Sequence, residues 1–73
     1  MAVSDARVEE LEKLVSDLRH DIRGALASTR LTTDRMRTDP DPRMQKFAAT
    51  IDRATDRILE RLDATRTVVP PRR

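Results

Sequence analysis

The sequence predicts an all-α chain: an antiparallel two-helix hairpin that pairs with a second copy into a homodimeric four-helix bundle, its long first helix running on as a coiled-coil stalk. Three observations predict it. Apolar or small residues recur at alternating steps of three and four along two stretches. A single Asp-Pro-Asp-Pro interruption, Asp39 to Pro42, separates them. The chain has 73 residues, 37% of them apolar, with Phe47 as its one aromatic, so a single copy buries too little surface to stand comfortably alone.

The first helix is expected from about residue 5 to 38, with Ser4 as N-cap and Asp5 in the first turn, where a negative charge suits the helix dipole. Its seam runs Val8, Leu11, Val15, Leu18, Ile22, Ala25, Thr29, Thr32, Met36, and Leu14, Leu26 and Thr33 widen it. At 1.5 Å per residue such a helix is about 50 Å long. Pro40 ends it and pushes Asp39 out of the helical region. Asp41 followed by Pro42 is a restart signal, an N-cap with proline at the first helical position.

The second helix, about 43–67, repeats the spacing at Met44, Phe47, Ile51, Ala54, Ile58 and Leu62, flanked by Ala48, Thr55, Leu59 and Thr65. Residues 68–73, with Pro70 and Pro71, read as an extended tail. A turn this short makes the helices antiparallel, and each apolar face is wider than the other helix can cover. The whole of residues 1–73 is therefore read as one domain, completed by a second copy.

Composition excludes several classes. There is no cysteine and only one histidine, so neither disulfides nor a structural metal site is expected. No apolar run approaches the ~18–20 residues of a membrane span, and the N-terminus is too polar for a signal peptide, so a cytoplasmic location is expected. The net charge of +2 comes from 15 basic and 13 acidic residues that alternate, as at Asp52-Arg53, Asp56-Arg57 and Glu60-Arg61. Nucleic-acid binders segregate positive charge and add stacking aromatics, so no nucleic acid is expected. The Arg/Asp alternation on the second helix is read as a solvated face with weak ion pairs.

One position does not fit a plain bundle. With Val15, Leu18, Ile22 and Ala25 turned inward, His20 falls on the outer face, on a ridge running Ser16, His20, Gly24, Ala27, Leu31. A solvated face should carry long charged side chains, yet this ridge is small or apolar. Gly24 is the only glycine, and a glycine inside a helix costs about 1 kcal/mol relative to alanine; a bend or the close approach of another protein would account for it. A neutral imidazole offers a nucleophilic nitrogen near neutral pH, and an adjacent carboxylate, here Asp21, can take the proton of the other ring nitrogen. Arg19 and Arg23 are placed to counter the charge of a phosphoryl group. Gly24, Ala27 and Leu31 form a surface for an apolar helix of a partner, with Arg30 on its rim.

The run His20-Asp21-Ile22-Arg23-Gly24-Ala25-Leu26 resembles the H-box of sensor histidine kinases, usually His-Glu/Asp-Leu/Ile-Arg-Thr/Asn-Pro-Leu, on the first helix of their dimerisation and histidine-phosphotransfer domain. It is most similar to a subgroup with a His-Asp-Ile-Arg-Gly core, and Asp52-Arg53-Ala54-Thr55-Asp56-Arg57-Ile58 resembles the second helix of that hairpin. The resemblance implies bacterial two-component signalling. His20 would be the phospho-acceptor, Asp21 its acid/base partner, and a response-regulator receiver domain the destination of the phosphoryl group. Ala25 replaces the usual proline, and Gly24 replaces the Thr or Asn that assists phosphatase activity, so little phosphatase activity is expected.

Nothing in the chain resembles a phosphate-cradling glycine loop. No cofactor is expected in this chain; ATP and Mg would enter only through a separate kinase domain, in cis or in trans. The competing expectation is a non-catalytic helical dimerisation or scaffold protein with a degenerate H-box.

Overall fold

The computed structural model describes residues 4–70. Helix α1 spans Asp5–Arg37 and helix α2 spans Pro42–Ala64, followed by a 3-10 turn at Thr65–Thr67. Ser4 is the N-cap of α1, in extended geometry, and its hydroxyl accepts from the Arg7 N–H at 3.2 Å. Thr38 closes the helix: its N–H donates to the Arg35 carbonyl and the next N–H, of Asp39, to the Met36 carbonyl, both at 3.2 Å. Asp39 then makes the bend: its carboxylate accepts from the Asp41 N–H at 2.8 Å, and its carbonyl accepts from the Gln45 side chain at 2.9 Å. Asp41 caps α2, accepting from the Arg43 N–H at 2.9 Å, with Pro42 next to it in the first turn.

The two helices lie antiparallel. Their register is given by the pairs Arg19 with Thr65, Arg23 with Asp63, Arg30 with Asp56 and Thr33 with Asp52. His20 is thus level with the end of α2, and the first turns of α1 project beyond it. The molecule is a rod 58 Å long with a radius of gyration of 16.9 Å, against roughly 11 Å for a compact chain of this length. A single copy has no central core.

Burial shows what the single hairpin lacks. The buried residues of the described chain are Ala48, Thr33, Thr55, Asp52 and Arg19, four of them polar. The sequence expectation that one seam points into the bundle therefore resolves into two half-seams. Val15, Ile22, Thr29 and Met36, seven residues apart, are half-buried, the last three level with α2 and Val15 beside Val68 and Val69. Leu11, Leu18, Ala25 and Thr32, also seven apart, are exposed. At about 100° per residue, Leu18 and Ala25 fall on the same side of the hairpin as Phe47, Ile51 and Ile58 of α2, which are exposed as well. His20 and the cross-helix ion pairs lie on the opposite side.

The end of α2 differs from expectation. The α-helix proper stops at Ala64 and a 3-10 turn carries the helical segment on to Thr67, while Val68 and Val69 do not begin an extended tail. Their N–H groups both bond to the Thr65 carbonyl, at 3.1 and 2.8 Å. Two causes are visible: the run Thr65, Thr67, Val68, Val69 is β-branched and favours helix poorly, and Arg19 binds the turn from α1. Pro71, Arg72 and Arg73 of the expected tail lie outside the described residues.

Candidate functional site

The outer face of α1 carries the candidate site. Helix α1 is continuous through it, so each side chain is placed by helical phase alone. His20 and Asp21 project into solvent, their side chains 90% and 78% exposed, with His20 Nδ1 3.6 Å from Asp21 Oδ1. That separation exceeds a hydrogen bond. Adjacent helix residues diverge by about 100°, and the two side chains converge despite it. The arrangement leaves Nε2, on the far edge of the ring, uncrowded.

Along the ridge from His20, Gly24, Ala27 and Leu31 are all exposed. A Cβ built on Gly24 meets nothing within 4 Å, and its φ is not positive. Neither backbone geometry nor packing within this chain requires a glycine there, and the helix does not break at it. Leu31 is 69% exposed and edges a shallow depression shared with Thr32, Asp34, Arg35 and Met36. From His20 to Leu31 the ridge extends about 16 Å at 1.5 Å per residue.

The arginines are engaged elsewhere. Arg23 is paired with Asp63 and Arg30 with Asp56, while Arg37 meets Asp34 and Asp52; Arg30 also approaches Asp52 at 3.8 Å. Arg23, Arg30 and Arg37 are seven residues apart, as are Asp56 and Asp63, so the pairs form a ladder down one flank. Asp56 and Asp63 are thus exposed ion-pair partners on a solvated face, as expected, whereas Asp52 departs from that reading: it is buried and bound to α1. The heptad spacing of three arginines was the signal in the sequence.

At the turn end of the ladder the Thr33 hydroxyl donates to Asp52 Oδ1 at 2.8 Å in a buried contact. At the other end Arg19, one residue before His20, is turned between the helices and 5% exposed. Its Nη1 donates to Thr65 Oγ1 at 3.1 Å and to the Val69 carbonyl at 2.8 Å. Arg19 thus does not face the phosphoryl position that sequence reading gave it. Its positive charge sits at the C-terminal end of α2, where exposed carbonyls and the helix dipole favour a cation.

Among the described residues no cluster of His, Cys, Asp or Glu is placed to hold a metal ion, and no helix is long and apolar enough to cross a membrane. A family model described as the His kinase A (phospho-acceptor) domain matches residues 10–69. Comparison with curated proteins and with solved structures gives no match.

Proposed function

The chain belongs to the His kinase A phospho-acceptor domain family, and on that premise we propose that it is a dimeric phosphotransfer module, which takes a phosphoryl group on His20 Nε2 and passes it to an aspartate of a response-regulator receiver domain. The observation that carries this is the solvent-facing imidazole with Asp21 at its Nδ1 side. With the Nδ1 proton held towards Asp21, the lone pair of Nε2 is free to attack. When ATP bound by a separate kinase domain is the donor, the bond from the γ-phosphorus to its bridging oxygen breaks, ADP leaves and a P–N bond forms. In the second step a receiver carboxylate attacks phosphorus, the P–N bond breaks, and neutral imidazole is restored.

The second copy is supplied by the exposed side of the hairpin. Leu18, Ile51 and Ile58 leave large apolar surface in water, and two such sides packed together remove it, at about 25 cal/mol per Å² of apolar area. His20 lies on the opposite side, so dimerisation leaves it accessible. Gly24, Ala27 and Leu31 then form the docking ridge for an apolar helix of the receiver, with Arg30 at its rim. Arg23 is held by Asp63; it contacts phosphate only when that ion pair opens. Because Gly24 offers no side chain to position a water, the module is a weak phosphatase.

The test is to incubate the protein with a phosphoryl donor, either phosphoramidate or an ATP-loaded kinase domain, and then with a receiver. The expected result is an acid-labile label on the wild-type chain, none on His20→Gln, and loss of the label to the receiver. A folded dimer that shows no label would leave the competing reading, a helical scaffold with a degenerate H-box.

A further inference from the structure

We propose that Arg19 is a phosphoryl-sensitive latch: it clasps the exit of α2 while His20 is free, and releases it when His20 carries a phosphoryl group. The proposal rests on the phospho-acceptor role of His20 and adds to it a consequence for the chain beyond Ala64. Three observations carry it. Arg19 is buried, and the bonds that hold it, to Thr65 Oγ1 and the Val69 carbonyl, are to neutral acceptors. Its second terminal nitrogen, Nη2, is buried and has no hydrogen-bond partner among the described residues. Such an unmet donor is unfavourable, so the clasped state holds Arg19 incompletely. Finally, Arg19 directly precedes His20 on α1.

A phosphoryl group on His20 brings about two negative charges and three strong acceptor oxygens within reach of a long, flexible arginine stem. A charge-assisted, bidentate contact with phosphate is stronger than two bonds to neutral oxygens, and it also gives Nη2 a partner. Arg19 therefore swings outward. The segment it leaves loses two cross-helix bonds at once, and Thr65–Val69 retain only local turn bonds. Val68 and Val69 line an apolar groove with Val8, Leu11 and Val15 of α1, so release also takes one wall from the groove at the projecting end of α1. The phosphorylation state of His20 is in this way communicated both to the start of α1 and to whatever follows α2.

Amide hydrogen exchange on the dimer tests it, read at Val68 and Val69, with Ala27 as an internal control. Phosphorylation by phosphoramidate, its stoichiometry measured in the same sample, is expected to speed exchange at Val68 and Val69 about tenfold, the scale of one charge-assisted hydrogen bond, while Ala27 is unchanged. In Arg19→Gln exchange is already fast, and phosphorylation adds nothing. His20→Glu supplies a negative charge without any donor, and is expected to speed exchange relative to His20→Gln. Equal exchange in His20→Glu and His20→Gln overturns the latch whether or not His20 is a phospho-acceptor, and so does a full response in phosphorylated Arg19→Gln. If no phosphohistidine forms but His20→Glu still opens the segment, the charge-driven latch stands and the phospho-acceptor role falls.

Discussion

Thr33 of α1 and Asp52 of α2 share a buried hydrogen bond of 2.8 Å, and Thr33 is 1% exposed. Arg30 and Arg37 converge on the same carboxylate. The two helices are therefore pinned near the turn by a polar contact, in a hairpin that leaves most of its large apolar side chains exposed. A hydroxyl given to a charged acceptor in a buried setting is among the stronger hydrogen bonds.

Replacing that hydroxyl at constant shape tests its worth. Thr33→Val removes the donor and leaves a buried carboxylate oxygen with one partner fewer. The expected loss is about 1–3 kcal/mol of stability, measured by urea unfolding at fixed protein concentration, with His20 phosphorylation unchanged. A variant as stable as wild type would show that Arg30 and Arg37 alone satisfy Asp52.

Gly24 separates stability from recognition. Alanine there meets nothing within 4 Å, so Gly24→Ala should stabilise the helix by about 0.5–1 kcal/mol. If a receiver helix approaches this ridge, the added methyl slows transfer from His20 to the receiver while phosphorylation of His20 by phosphoramidate is unaffected. Leu31→Glu should weaken receiver affinity without changing stability, since Leu31 is largely exposed. Receiver transfer at wild-type rates in both variants would remove the ridge from the docking surface.

The exposed apolar side predicts the assembly. Ile51→Glu places a charge in the middle of the surface assigned to the second copy, and fully burying an isoleucine side chain is worth about 1.5–3 kcal/mol. Sedimentation should show a wild-type dimer and a variant shifted towards monomer. Helical signal should fall with it, because folding and association are coupled when one copy has no core. A wild-type monomer with full helicity would contradict the four-helix bundle.

Much of this was legible in the residues. Ser4 and the Asp41-Pro42 pair mark the helix starts because caps are local chemistry, and helical phase alone puts His20 outside. The division of the seam was not legible. An alternation of three and four describes a stripe without saying that Ile22 and Thr29 are half-buried while Leu18 and Ala25 stay exposed. Nor was the burial of Arg19, since arginine reads as a solvated residue and its acceptors lie far along the chain at Thr65 and Val69. The arginine ladder stands between these cases: its spacing of seven is in the sequence, but the aspartates that complete it lie across a turn.

The cap of α2 predicts a pH effect at the turn. Arg43 holds the Asp41 carboxyl below its ordinary value of 3.8, first through its side chain and then through its backbone N–H. The cap's contribution is therefore fully present above the unfolded value of about 3.9 and is lost as pH falls through the lower folded value. The Arg43 amide resonance should titrate below pH 3.8, with faster exchange at the start of α2 on the acid side. In Asp41→Ala that exchange should be fast at neutral pH and lose its acid dependence.

The most direct measurement is a phosphorus–nitrogen correlation spectrum of the nitrogen-labelled dimer after reaction with phosphoramidate. The expected result is one phosphoryl group per chain, bonded to Nε2 of His20, absent in His20→Gln and discharged on addition of a receiver. A folded dimer with no phosphorus–nitrogen bond, or with phosphorus on Nδ1, would contradict it.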